Sequence, residues 1–459
     1  MEQSKQSIHK NPNRIAWIVA LGGCLLATAT QAQFTYTTNT PDTNTITITR
    51  YTGLGGAVTI PSNINGKIVS DIGSWAFENT HLSSVVIPNS VTNMGTRAFY
   101  RCTNLAAVTF GGGLIDIGES AFESCSELRN MEVPDSVTSI YRDAFRKCSG
   151  LTNVMFGHGI SSIGRWCSEC TGLAEIMIGD GVTNIASYAF SGCSSLTNIT
   201  FGISLSYVAS SAFDGCTGIT HIAILSSNIL EGMIVNPSRL ASITLGESVT
   251  NIPDFIFWHC SALTNMVIPG TVLSVGQQAF WGCTNLVGVT IGSGVSTVGI
   301  GAFGGCSALT SIVIPDSVTT IGDKPFADCS SLTNAVVGSN ITILALSMFD
   351  RCQGLVNVVI GGSVTNVDGW AFSGCNRLEW VLFNSHAPAA VGSSVFSSSQ
   401  AIVYYRAGTT GWTDTFAGRP TALWGPVPQS ADFGPGPDGF GMDTTWVAGQ
   451  TAVMEACED

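Results

Sequence analysis

Charge is scarce in this chain. Only 11% of its 459 residues are Asp, Glu, Lys or Arg, and 18 Lys and Arg face 31 Asp and Glu, for a formal net charge of −13. So few cations argue against nucleic acid or anionic lipid as the main partner, because a polyanion is repelled on approach. Histidine is sparse too: His81, His158, His221, His259 and His386 are scattered with no repeated acid or thiol partner. Walker A, H-E-x-x-H and G-x-S-x-G strings are missing, which removes familiar signatures of phosphate, zinc and serine-hydrolase chemistry. The two G-x-G-x-x-G strings, 299–304 and 434–439, do not open the helix of a dinucleotide fold: the first belongs to a repeated corner and the second contains two prolines. Nothing here names a catalytic, cofactor-binding or metal-binding residue, and the reading is of a protein that is not an enzyme and takes no cofactor.

Long apolar runs are confined to the start. Lys5, Lys10 and Arg14 precede an apolar stretch from Ile15 to Ala29, and Thr30-Gln31-Ala32 supplies small residues for cleavage. Residues 1–32 therefore have the grammar of a secretory signal peptide. Leu21-Gly22-Gly23-Cys24 also resembles a lipobox, so lipid anchoring through Cys24 is the alternative to simple secretion. No later apolar run approaches the ~20 residues that a membrane helix needs.

What the chain has in abundance is repetition. Phenylalanines recur at Phe77, Phe99, Phe122, Phe145, Phe190, Phe213, Phe257, Phe280, Phe303, Phe326, Phe349 and Phe372, at spacings of 22 or 23 or close multiples. In one unit, 298–321, the apolar anchors are Val298, Ala302, Phe303, Cys306, Leu309, Ile312, Ile314 and Val318, and Ile321 opens the next unit. From Leu309 the period is two, which predicts a short strand with Ile312 and Ile314 on one face and Ser311 and Val313 on the other. From Val298 the spacings of four and five predict a turn or two of helix or 3₁₀ structure. Units this short cannot bury their own apolar faces, so they must stack, strand beside parallel strand, into a solenoid. Opening anchors from Ile72 to Val367, with a degenerate last unit at Val391 and Phe396, give 14–15 coils.

Twelve cysteines, Cys102 to Cys375, share one slot three residues before the first strand Leu or Ile. One thiol per coil has none of the C-x₂-C pairing with histidine used by zinc sites. Stacked equivalents have near-parallel Cβ vectors, whereas a disulfide wants convergent ones. The column therefore reads as a ladder of buried, mostly free thiols packed as small hydrophobes. Cys167, in R-W-C-S-E-C (165–170), falls where the Ala-Phe pair belongs in a unit one residue short, and the coil opening at Ile229 has lost both Phe and Cys.

With the L-x-x-[IV]-x-[IV] strands, I-G-x-x-A-F corners and I-P-x-S-V-T returns laid out, the chain resembles the BspA-like, treponemal-type leucine-rich repeat family of secreted and surface proteins. The resemblance covers about 69–396. It implies an α/β solenoid, a leucine-rich-repeat horseshoe with a parallel sheet on one face, and a role in adhesion or protein binding. A structural envelope component without a discrete ligand is the alternative reading. The expected organisation is a signal peptide (1–32), a β-hairpin N-terminal cap (33–68), repeats (69–396), a C-terminal cap (397–426) carrying a last strand at Ala401–Tyr405 with Trp412, Phe416 and Trp424 over the final coil, and a Gly/Pro-rich linker with a truncated β-rich tail (427–459).

Binding in a solenoid belongs to residues that vary over the constant core, above all on the strand face. The outward strand positions there include Glu132, Met155, Glu175, Met177, Asn198 and His221, an acidic and Met-bearing patch, and an aromatic end at Trp380 and Leu382. These eight are the candidate partner-binding residues, and host, matrix or neighbouring-cell proteins are the expected partners. Cys457, near the end of the tail, is expected to be an exposed thiol able to link a dimer.

Overall fold

The computed structural model describes residues 33–425. The expected signal peptide with Cys24, and the tail with Cys457 and the 434–439 glycine string, lie outside the described residues. Within them the chain forms a parallel β-solenoid of about sixteen turns of roughly 23 residues.

Each regular coil contributes two strands to two different ladders. The L-x-x-I-x-I segment forms the longer one: Ser311–Val313 pairs in parallel with Asn334–Val337, and that with Asn357–Ile360 and then Trp380–Phe383. Along it Ile312 and Ile314 are buried while Val313 is exposed, as period-two alternation requires. A two-residue strand at each opening anchor forms the other ladder, for example Ser274–Val275, Thr297–Val298 and Thr320–Ile321.

The corner between them is not helical. In the Phe326 coil, Lys324 and Asp328, two residues before and after the ring, have φ of 55° and 62°; Arg97 and Arg101 do the same around Phe99 with 54° and 56°. Left-handed residues cannot continue a right-handed helix. Their N–H groups turn outward to the next coil instead, Lys324 N to Leu346 O and Asp328 N to Asp350 O, both at 2.8 Å. Hydrophobic spacing carries no sign of φ, which is why it pointed to a helical turn. The 3₁₀ pieces Glu231–Met233 and Pro237–Arg239 belong to the irregular coil instead.

The Phe column forms runs of parallel rings. Centroids are 5.2 Å apart for Phe280 and Phe303 and 5.6 Å for Phe303 and Phe326, with interplanar angles of 2° and 5°. Beside it lies the thiol column, buried in every described coil that has it. Where the coil before carries the Phe, the thiol donates to that Phe carbonyl, Cys306 Sγ to Phe280 O at 3.3 Å and Cys148 Sγ to Phe122 O at 3.1 Å. That carbonyl already accepts its own coil's Cys N–H, as Phe280 O does from Cys283 N. The cysteine thus packs as a hydrophobe and also supplies a second donor to a buried oxygen, which a methyl group could not do. Burial pushes the thiols of Cys260 and Cys375 up to about 12, and that of Cys306 well above the ordinary range. At the first rung, hydrogen bonds from Cys125 and Thr80 hold the Cys102 thiol lower.

Cys167 takes the Phe slot, as the one-residue deletion implies: Cys193 Sγ donates to Cys167 O at 3.2 Å. The neighbouring Trp166 is buried and lies 5.7 Å from Phe156.

Both ends differ from expectation by one layer. The hairpin Phe34–Thr38 with Thr45–Tyr51 is present, but Thr45–Tyr51 also pairs in parallel with Lys67–Ile72, and Gly56–Thr59 with Leu82–Val86. The segment before Ile72 therefore builds a first coil, with Tyr51 in the Phe slot stacked 5.3 Å from Phe77. At the other end Ile402–Tyr405 is followed by a further parallel strand, Arg419–Leu423. Trp412 packs between Phe383 and Tyr405, at 5.3 and 5.4 Å.

Candidate interaction face

The parallel register decides which outward residues meet. Glu132 stands beside Met155, Met155 beside Met177, and Met177 beside Thr200, in one row across four strands. The adjacent row runs Glu175, Asn198, His221. Six of the eight candidate residues thus form one patch, and all six are exposed. Met155 and Met177 are 54% and 66% exposed, large apolar side chains left in water by a fold that buries its repeated hydrophobes almost completely. His221 Nδ1 is 2.8 Å from Thr220 Oγ1, which orients the ring at the patch edge. Glu132 also borders a shallow depression lined by Val108, Thr109, Phe110 and Pro134.

Trp380 and Leu382 belong elsewhere. Nine strand steps separate Glu175 from Trp380 along the sheet, about 43 Å at the strand spacing. Leu382 is only 3% exposed, which corrects its placement on the open face. Its neighbour across the ladder is Tyr404, and Trp424 lies 5.1 Å from Tyr404 and 5.2 Å from Trp380. Trp424 therefore closes the strand face at this end instead of covering the last coil, and Trp380 is half-buried beneath it.

A second polar feature sits on the corner edge, where the sequence reading did not look. Arg146 donates to Glu169 from Nε at 2.9 Å and Nη2 at 2.6 Å, and to Glu123 from Nη1 at 3.4 Å. Arg165 and Arg142 lie 3.1 and 3.2 Å from the two oxygens of Asp143. Hydrogen bonding to Arg146 holds the Glu169 carboxyl below the usual carboxylate range. Arg146, Glu169 and Glu123 are satisfied by one another, whereas Asp143 Oδ1 and Arg165 Nε are paired by charge without a hydrogen bond; together they form an inter-coil ion network. Residues one or two past the Phe slot at a 23-residue interval were the available signal.

A further row of aromatics, Phe255, Trp258 and Trp281, lies on the same edge, and the Trp281 ring covers Gly301 and Gly304, where a Cβ on Gly304 would meet the indole. The glycine string 299–304 is accounted for by this packing. His158 has an acid partner after all, Nδ1 to Asp135 Oδ1 at 2.9 Å, but both are fully solvated on a return loop. Among the described residues no group of three or more His, Cys, Asp or Glu is arranged to hold a metal, and no helix is long and apolar enough to cross a membrane.

Comparison with known proteins agrees with the repeat geometry. A family model described as BspA type Leucine rich repeat region, six copies, matches residues 70–193, 166–287 and 250–379. Among solved structures, the chain is similar to a leucine rich cell surface protein from Faecalibacterium prausnitzii A2-165, with 29% identity over 77% of this chain and 87% of that one and a TM-score of 0.39. It is similar also to a leucine-rich repeat protein from Bacteroides ovatus, 22% identical over 76% and 93% of the two chains with a TM-score of 0.38. The pneumococcal vaccine antigen PcpA is 20% identical over 77% and 92%, with a TM-score of 0.32. No curated protein matches. The family model spans well over half of the chain, on the residues that build its corners and strands, and the protein belongs to the BspA-type leucine-rich repeat family.

Proposed function

We propose that this chain is a secreted or cell-surface adhesion module that binds proteins, without catalysis, through the strand face around Met155 and Met177. The observation that carries the reading is the pairing of these two exposed methionines in register, flanked by Glu132 and Glu175. Methionine adapts its shape to a partner and is favoured at recognition surfaces, and apolar area rimmed by polar groups marks contact sites. Membership of the repeat family and the description of the Faecalibacterium relative as a cell surface protein support the placement outside the cell. Partners on host, matrix or neighbouring-cell surfaces follow from that placement, and the rows Glu132–Met177 and Glu175–His221 favour basic, partly apolar segments on them. The domain boundaries, the cleaved leader or Cys24 anchor and the Cys457-linked dimer are part of the same proposal.

The test is binding of the purified chain to intact host and neighbouring bacterial cells, with M155D/M177D beside wild type and V313D as a control on the same face. Loss of at least tenfold in apparent affinity is expected for the double variant alone, since central interface residues carry most of the binding energy. Equal binding by wild type and the double variant overturns the assignment. Self-assembly of the chain without cell binding would favour the structural envelope role.

A further inference from the structure

The coil opening at Ile229 interrupts everything that ties one coil to the next. Upstream, Ser242–Leu245 pairs residue for residue with His221–Ile224. Downstream, Asn265–Val267 pairs with Gly288–Thr290, and Asn251–Ile252 with Ser274–Val275. Between the two sides there is no strand pairing, and both ladders end. The corner bonds stop as well. Met233, Ile234, Arg239 and Leu240 donate within their own coil, and Ala241, Ser242 and Gly246 donate backward to Thr220 and Ile224. Phe255, Phe257 and His259, on the far side, donate forward to Gln277, Ala279 and Trp281. Among the described residues, this is the one junction between neighbouring coils that no backbone hydrogen bond crosses apart from the local turn where the chain itself passes over, Val249 N to Gly246 O at 3.1 Å. A single long side-chain bond, Ser261 Oγ to Ser238 O at 3.4 Å, spans it.

The sequence explains the break. A regular corner sends two left-handed N–H groups forward, but here two 3₁₀ turns replace it, and Pro237 has no N–H to give. Asn236 Nδ2 turns back to Cys216 O at 2.7 Å. With Phe and Cys gone from this coil, the ring stack passes from Phe213 to Phe257 without a member, and no thiol donates across. What remains is apolar contact: Met233, Leu240 and Leu245 on one side and Ile252, Phe257 and Leu263 on the other are all buried. Hydrophobic contact is non-directional, whereas a hydrogen-bond ladder fixes orientation.

We infer that this junction is a hinge, so that residues 33–247 and 248–425 are two separately cohesive arms that reorient about it. Hinges are built from a few residues at element ends that absorb the backbone change, and the seam coil supplies these at Asn236–Arg239. The arms carry different surfaces. The Met and Glu patch lies on the first, and the second opens with a stretch from 248 to 315 whose one carboxylate is Asp254 and which has no Lys or Arg. The hinge sets the angle between the two.

Arg239 is exposed in the seam coil and is the only Lys or Arg between Arg165 and Lys324. Brief trypsin treatment of the full chain is expected to cut at Arg239 at least tenfold faster than at Arg142 or Arg377, leaving two fragments that keep their sheet circular dichroism. Hydrogen exchange at amides 242–245 and 265–267 should run at least tenfold faster than at 221–224 and 334–337. Replacing residues 229–251 by the sequence of 298–320, which restores the corner, Phe and Cys, should slow the seam to the rate of its neighbours. Seam amides as protected as the others in the native chain, Arg239 cut no faster than Arg142, or fragments that unfold on cutting would each overturn the hinge.

Discussion

Replacing Phe303 by alanine is expected to destabilise the chain by about 3–5 kcal/mol, read as a lowered urea midpoint in two-probe unfolding. The ring is fully buried and stacked on Phe280 and Phe326. Its removal leaves a void that neighbours cannot fill, because both are held by the same stacking and by corner bonds such as Phe303 N to Pro325 O at 2.9 Å. In a solenoid, stability is close to a sum of intrinsic coil terms and nearest-neighbour interfaces, and this ring contributes to two interfaces at once. Val313→Ala, ten residues away on the exposed face, should change stability by less than about 0.5 kcal/mol. A cost near zero at Phe303 would contradict stacking as the source of cohesion.

Cys306→Asp should be at least as damaging, about 3–5 kcal/mol at neutral pH, the range for an uncompensated buried charge. The slot is fully buried, with a carbonyl oxygen at 3.3 Å and a column of neutral thiols around it. Protonation relieves the charge and lets the acid donate to Phe280 O, so the folded-state pKa of the introduced acid lies above its unfolded value. The penalty is therefore absent below the unfolded pKa, grows as pH rises and is full above the folded pKa. Urea unfolding at pH 4 and pH 8 measures this, and a variant equally stable at both would show that the slot is hydrated.

The core was legible in the sequence because its chemistry is periodic. Leu309, Ile312 and Ile314 announce their strand by spacing alone, and the repeated Phe and Cys announce stacking. The corner was legible in position but not in conformation, since Lys324 and Asp328 at positive φ leave no hydrophobic trace. The first coil escaped notice because Tyr51 fills the Phe slot without the Ala before it or the Cys after it. Alternation pointed Leu382 to the open face, but it is buried at an end that Trp424, more than forty residues further along, closes by packing on Trp380 and Tyr404. Of the face residues, Glu132, Met155, Met177, Glu175, Asn198 and His221 came together because parallel register follows directly from a constant repeat length. The Arg146 network and the seam are local departures from that repeat, and departures are legible only against the geometry they interrupt.

The most direct measurement is a thiol count on the purified chain without reductant, native and then denatured. Of the 15 cysteines, 13 are buried and free in the fold. The account predicts that these 13 label only after denaturation, with at most Cys24 and Cys457 reacting in the native state. Thiols that stay blocked in denaturant until a reductant is added would contradict it, because the column would then be a cross-linked spine and not the packed, carbonyl-bonded core on which the interaction face is built.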